Sequence, residues 1–361
     1  VFGQRFLTDG ATTWSLLAEM VLAGLAVVMS GARLTLLADE VGERLNLGRA
    51  WIGMLLLATV TSLPEVATGI SSVWIGAPNL AFAGVLGSCS FNIVLIVLLN
   101  ALMGGGSVLR VARGLSHTLT SSLGLILIVL TLLAIALVDR WQAQESAVWI
   151  EGGICVLIAL VYISGLRLVY RFEHGQSSDG LIEAEESKGG LVAVYRRIAL
   201  IAAILVLASF WLAKTGDVLA EHPIKELDGF VLGASFVGAA FLAVATSLPE
   251  VVTAIAAVRM NQLDLALGNL FGSNMFNIFV IPMLKLASMA RGDRLLMAGN
   301  GFLTNQNLLV GLLPILLTAV AVAGLTYRSR RRLFRFGIDS VLLFVAYLAG
   351  MYALLQMPET G

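Results

Sequence analysis

The chain has 361 residues, 58% of them hydrophobic and 13% charged, with 23 basic and 23 acidic side chains that cancel to a net charge of zero. Soluble domains carry about twice that charged fraction, and a neutral chain offers no electrostatic footprint for nucleic acid. The mean hydropathy of +0.91 comes from apolar runs that recur from end to end, which reads as a polytopic membrane protein rather than a large soluble core.

In chain order, hydropathy predicts ten spans, at 14–38, 47–74, 78–102, 115–138 and 146–169, then 197–219, 229–258, 263–289, 303–326 and 336–357. The sequence starts at Val1 with no cleavable signal pattern, so the first span is expected to act as the insertion signal. Cys89 and Cys155 fall inside apolar runs and form neither a disulfide frame nor a CxxC pair. His117, His174 and His222 fall in polar connecting stretches, which argues against a histidine-built metal site. Segment 171–196 is polar, with a Gly175–Gly180 run and acidic Glu183, Glu185 and Glu186. It is expected to link two five-helix halves, 1–170 and 197–361, and is too short to fold as a regulatory domain.

The loops after spans 1, 3, 5, 7 and 9 hold 16 of the 23 Lys and Arg residues, and Arg328, Arg330, Arg331, Arg332 and Arg335 form the strongest single anchor. The positive-inside rule then places both termini outside and the 171–196 linker in the cytoplasm. With five spans per half, the second half enters the membrane in the opposite sense to the first. The predicted fold class is therefore an all-α membrane protein of ten transmembrane helices in two inverted repeats.

A duplication carries the chemistry. Ala58-Thr59-Val60-Thr61-Ser62-Leu63-Pro64-Glu65-Val66 returns as Ala243-Val244-Ala245-Thr246-Ser247-Leu248-Pro249-Glu250-Val251, and each is followed by Gly-Ser-x-x-Phe-Asn-Ile, at Gly87 and at Gly272. All matches lie at one offset of 185 residues, and 19 of the 42 positions pairing 58–99 with 243–284 are identical. Polar and ionisable groups inside a membrane are costly unless they hold something. On a continuous helix Thr61 and Glu65 share a face with Ser62 beside them, and Pro64 and Pro249 are expected to turn carbonyls near Val60 and Ala245 outward. Gly87-Ser88 and Gly272-Ser273 are expected to interrupt spans 3 and 8, while Ser88 with Asn92 and Ser273 with Asn277 share helix faces. Together these give Glu65, Glu250, Asn92, Asn277, Thr61, Ser62, Thr246, Ser247, Ser88 and Ser273, a set of hard oxygens suited to Ca²⁺, Mg²⁺ or Na⁺. Two carboxylates match one divalent or two monovalent cations. Small hydroxyls also serve helix packing in membranes, so the glutamates carry the argument more than any single serine. Glu19, Glu151 and Arg167 are expected near the membrane interfaces and outside the transport site.

These residues resemble the calcium/cation antiporter superfamily, and most closely its compact prokaryotic sodium/calcium exchangers. That family carries two inverted α-repeats with a Gly-Thr-Ser-x-Pro-Glu/Asp core and a later Gly-Ser-Asn-x-x-Asn/Asp core. Thr61–Glu65 and Thr246–Glu250 match the first, Gly272–Asn277 matches the second, and Gly87–Asn92 matches it in part. The resemblance implies that Glu65 and Glu250 are acidic ligands shared by Ca²⁺ and Na⁺. It implies that Thr61, Ser62, Thr246, Ser247, Ser88 and Ser273 ligate Na⁺, with the carbonyls of Ala58 and Ala243. It further implies alternating access with spans 1 and 6 sliding against the core, residence in a prokaryotic plasma (inner) membrane, and no cofactor or obligate protein partner. Val60 and Ala245 stand where the family has Gly, and Gly84 and Cys89 where it has the Asn kept here as Asn269 and Asn274. A neutral Asn277 argues against potassium co-transport, and no Gly-Asn-x-x-Glu core of the proton-coupled branch is present.

The leading expectation is a Na⁺-driven Ca²⁺ antiporter. The alternatives are proton-coupled exchange, in which Glu65 or Glu250 trades a proton for a cation, and a cation channel, which the inverted repeat disfavours. An ATP-driven pump lacks a Gly-x-x-x-x-Gly-Lys-[Ser/Thr] loop, and an intramembrane hydrolase lacks a His near the repeated serines, so no enzyme is expected.

Overall fold

The computed structural model describes residues 13–45, 47–76, 78–104, 107–112, 115–141, 145–176, 188–221, 246–297, 305–329, 331–333 and 336–356. The described chain is helical apart from a two-stranded antiparallel ribbon, β1 (Arg332–Leu333) on β2 (Phe336–Gly337). α1 spans Thr13–Arg44, and a broken segment follows: α2 (Arg49–Ile52), a π turn over Gly53–Leu57, α3 (Ala58–Thr61) and α4 (Leu63–Trp74). Then come α5 (Pro78–Leu102), α6 (Val108–Val111), α7 (Ser116–Trp141), α8 (Ser146–Gln176) and α9 (Lys188–Glu221). The last elements are α10 (Leu248–Arg259), α11 (Leu263–Arg291), α12 (Asn305–Tyr327) and α13 (Ile338–Gln356).

Among the described residues seven helices are long and apolar enough to cross a bilayer, and Arg49–Thr61 with Leu63–Trp74, bent by 42°, makes an eighth. The expected span 10 corresponds to α13, whose apolar stretch Ile338–Leu354 is shorter than those seven. The first part of the expected span 7, with Ala243, lies outside the described residues, as does His222. Helix α8 runs through Gln176 and α9 starts at Lys188, so both enter the expected linker from its two ends. Apolar side chains such as Met29 on α1 and Leu200 and Leu207 on α9 are more than half exposed, as lipid-facing positions are.

Helix α11 is the hub. It packs against α5, α7, α8 and the π turn, and 72% of its apolar window is buried, against 33% for α1, which runs along α9 at the edge. Glycines bring the backbones of α11 and the broken segment together. A Cβ on Gly53 would lie 2.4 Å from the Leu265 carbonyl oxygen, one on Gly268 2.3 Å from that of Ala50, and one on Gly272 2.5 Å from Met54 Cα. No larger residue fits there. This corrects the expectation that Gly87-Ser88 and Gly272-Ser273 interrupt their helices: α5 and α11 are continuous through both, and Gly272 serves close approach instead.

The proline expectation is corrected in the same way. Pro64 and Pro249 do not kink a helix interior; each sits in the first turn of a new helix, where its missing N–H costs nothing. The break falls on the preceding serine, with φ/ψ of −89°/7° at Ser62 and −89°/5° at Ser247. Backbone N–H groups at the first break reach the carbonyls of Ala58 and Val60, so the Val60 carbonyl is engaged locally. Thr61 and Glu65 consequently lie on either side of a break, on different helices.

Candidate cation-binding site

Each copy of the motif begins a new helix after its serine, and each acid in that first turn meets the serine of the other repeat. Ser62 Oγ donates to Glu250 Oε1 at 3.0 Å, and Ser247 Oγ donates to Glu65 Oε1 at 3.4 Å. The serine of each repeat thus serves the glutamate of the other. Ser88 Oγ lies 3.4 Å from Ser247 Oγ and beside Glu65, while Thr61 and Ser273 stand beside Glu250. The two carboxylates are close enough for their charges to interact. No lysine or arginine is among the described partners of either.

Every one of these groups is withdrawn from solvent: Thr61, Ser62, Glu65, Ser88, Asn92, Thr246, Ser247, Glu250, Ser273 and Asn277 are all buried. Several are also unsatisfied: among the described residues, Glu65 Oε2, Glu250 Oε2, Asn92 Oδ1, Ser273 Oγ and both polar atoms of the Asn277 amide have no hydrogen-bond partner. Such orphans are rare in folded proteins, because each forfeits the hydration it had in the unfolded chain. Here oxygens from both repeats gather around two like charges, which is the arrangement a desolvated cation would satisfy. The described residues contain no group of three or more His, Cys, Asp and Glu. The oxygen set relies on hydroxyls and amides beyond its two carboxylates, as hard, weakly polarising cations prefer.

Two amides outside the expected site complete the surroundings. Asn269 Nδ2 donates to Thr253 Oγ1 at 2.8 Å, and its Oδ1 lies 3.4 Å from Thr61 Oγ1. Asn274 Oδ1 accepts from Asn92 Nδ2 at 3.1 Å, while its Nδ2 donates to the Cys89 carbonyl at 3.0 Å. Their signal in the sequence was the mismatch itself, since Gly84 and Cys89 stand at the duplicated positions. On that side the site is open. A cavity of about 170 Å³ between α4 and α5 reaches Glu65 and Ser88 past Thr68, Ser72, Gly84 and Thr246. Thr68 and Thr253, another duplicated pair, donate to the carbonyls of Pro64 at 3.0 Å and Pro249 at 2.8 Å, so neither carbonyl is left bare.

Nine of the twelve expected residues lie at or around the pair of glutamates, counting the glutamates themselves and Ala58, whose carbonyl accepts from the Ser62 N–H at 3.1 Å. Asn92 and Asn277 take the outer positions, next to Asn274 and Cys89. Ala243 lies outside the described residues. His117 is not in a connecting loop as expected: it is buried in the first turn of α7, with Nε2 2.8 Å from Asp264 Oδ1. Glu151 lies in the second turn of α8 and is fully buried.

Comparison with known proteins gives the chain its family and fold. The sodium/calcium exchanger protein family matches residues 15–167 and 196–356. Among curated proteins, the chain is 28% identical over 268 residues to the inner membrane protein YrbG of Escherichia coli, covering 73% of this chain and 77% of that one. It is 26% identical to the putative antiporter CaxA of Alkalimonas amylolytica, over 72% of this chain and 77% of the relative. Among solved structures, the sodium-calcium exchanger NCX_Mj superposes with a TM-score of 0.69 at 18% identity, covering 95% of this chain and 99% of that one, which shows a shared fold. The family match spans both copies of the duplicated motif and nearly all the membrane helices, so this chain belongs to the sodium/calcium exchanger family and is a membrane transporter, not an enzyme.

Proposed function

We propose that the chain is a secondary antiporter that exchanges Na⁺ for Ca²⁺ by alternating access. One observation carries this reading. Two buried glutamates from opposite repeats each accept from the other repeat's serine, and each keeps one oxygen without a partner among the described residues. A formal charge of −2 with no basic partner needs one divalent or two monovalent cations, so loading one kind of ion empties the other. A neutralised site can pass through an occluded state; a charged, half-filled one resists burial.

In this reading the ligands are Glu65, Glu250, Asn92, Asn277, Thr61, Ser62, Thr246, Ser247, Ser88 and Ser273, with the carbonyls of Ala58 and Ala243. The chain crosses the membrane ten times as two inverted halves, 1–170 and 197–361, with 171–196 cytoplasmic and both termini outside. The wider family supports calcium as the divalent ion: a relative 24% identical over 300 residues is the vacuolar calcium ion transporter of Schizosaccharomyces pombe. Proton coupling is the second reading, because an unpartnered carboxylate oxygen is also where a proton would sit.

The deciding experiment is radioactive Ca²⁺ uptake into proteoliposomes under an outward Na⁺ gradient, an outward proton gradient and no gradient. Uptake with Na⁺ alone supports the proposal, and uptake with protons alone moves the protein to the second reading. Uptake at channel rates with no counter-ion would refute both.

A further inference from the structure

Helix α11, which carries Ser273, Asn274 and Asn277, also carries a buried charge two turns further on. Lys285, 5% exposed, donates from Nζ to Glu151 Oε2 at 2.6 Å and to the Arg294 carbonyl at 2.7 Å. Glu151 in α8 accepts in addition from the backbone N–H groups of Leu296 at 2.9 Å and Met297 at 2.7 Å. One carboxylate therefore ties α8, α11 and the segment leaving α11. Taking two charges out of water is costly, and apolar side chains of similar volume would often serve stability as well, so the register such a pair imposes is the better reason for it.

The sequence shows why α11 needs an anchor there. Pro282 lies between Asn277 and Lys285 and has no N–H to give the carbonyl of Ile278. The helix is thus weakened immediately behind Asn277. On the other side of the site α11 is fixed by Gly268 and Gly272, packed on the backbone of Ala50 and Met54. Among the described residues neither Ser273 Oγ nor the Asn277 amide has a hydrogen-bond partner, so the placement of the helix decides where they point.

The first repeat supplies a natural comparison. At the same offset of 185 residues, Pro282 corresponds to Val97 and Lys285 to Asn100. Asn100 makes a neutral version of the tie: its Nδ2 donates to Ser340 Oγ in α13, and its Oδ1 accepts the N–H of Val108 just after α5. The third long segment of each half is thereby bound to a helix of the other half. The charged tie occurs on the helix that contains a proline.

We infer that Glu151 and Lys285 are positioning residues for cation binding: their pair holds the part of α11 behind Pro282 and so keeps Ser273 and Asn277 at the site. The inference rests on the proposed cation exchange. Its test uses the full chain in liposomes, with Glu151→Gln, Lys285→Met and the double variant. Each single variant strands one buried charge, whereas the double variant removes both and keeps an amide oxygen for Leu296 and Met297. Each single change should raise the half-saturating Ca²⁺ concentration on the order of tenfold, the usual effect of losing an outer support of a metal site. The maximal rate should change less, and the double variant should recover part of the loss. Hydrogen exchange at Leu296 and Met297 reports independently whether the tie has opened. Faster exchange there with unchanged half-saturation would overturn the inference. If the single variants are lost on purification, Glu151→Asp, which keeps the charge and shortens the reach, is read by the same two outcomes. Failure of the transport reading shows separately, as absence of exchange in the parent protein; Ca²⁺ binding isotherms of parent and variants then decide the positioning claim.

Discussion

Gly272→Ala puts a single methyl group into the seam between α11 and the broken segment. The new Cβ would stand 2.5 Å from Met54 Cα, 2.8 Å from the Met54 carbonyl oxygen and 3.0 Å from Ala58 Cβ. Carbon atoms rest at about 3.5 Å or more, so the two elements must part by roughly 1 Å. The nearest atoms belong to backbone and to a rotamer-free alanine, and no side chain can swing away. Overpacking of this kind costs about 1–3 kcal/mol, which a long membrane helix bundle can survive. Cation ligands are less tolerant, since their distances hold within about 0.2 Å. Ser273 follows Gly272 directly, and Ala58 lies on the opposing wall, so a shift of that size separates the two sides of the site. We expect Ca²⁺ uptake in proteoliposomes to need on the order of 10–100-fold more Ca²⁺ for half-saturation, with the protein still inserted and monodisperse. Gly153→Ala on the exposed face of α8, where no described atom lies within 4 Å, is the control and should match the parent. A Gly272→Ala variant with parental half-saturation and rate would refute the claim that this seam sets the site.

Glu65→Gln and Glu250→Gln should each abolish exchange without affecting insertion or monodispersity, and normal Ca²⁺ uptake in either would remove the two-glutamate site. Ser62→Ala deprives Glu250 Oε1 of a 3.0 Å hydrogen bond. A bond to a charged group contributes about 1.5–3 kcal/mol, so half-saturation should rise about tenfold or more, and a rise no larger than that of Ser247→Ala, whose bond is 3.4 Å, would contradict the ranking. Asn277→Asp adds a third carboxylate and should alter the relative rates for Ca²⁺ and Na⁺; an unchanged ion profile would show that Asn277 is not a ligand.

The residues of the candidate site were legible because a duplication kept its polar members while the apolar background drifted, and a membrane makes every retained carboxylate conspicuous. The pairing was not. Ser62 meeting Glu250 depends on how two halves 185 residues apart face each other, and no local pattern encodes that. The prolines misled by position. A proline in an apolar run suggests a kink, but here each follows a serine that has already ended one helix, so it opens the next. The glycines misled similarly, since loosening a helix and admitting a neighbouring backbone require the same residue. The partner of Glu151 was not legible, because Lys285 lies 134 residues away and an isolated charge in an apolar run gives no sign of its counter-charge.

The break at each serine has a further electrostatic consequence. Glu65 and Glu250 fall in the first turns of α4 and α10, where the unpaired amides of a helix start amount to about half a positive charge. Two such ends offset part of the charge that would otherwise grip a cation in a dry interior. The same fields make the vacant glutamates less costly to expose one at a time as ions leave. A carrier must hold its cargo firmly enough to recognise it and loosely enough to surrender it on the far side. By starting a helix beneath each acid, this chain weakens its own hold by a fixed amount, with no moving part and no added residue.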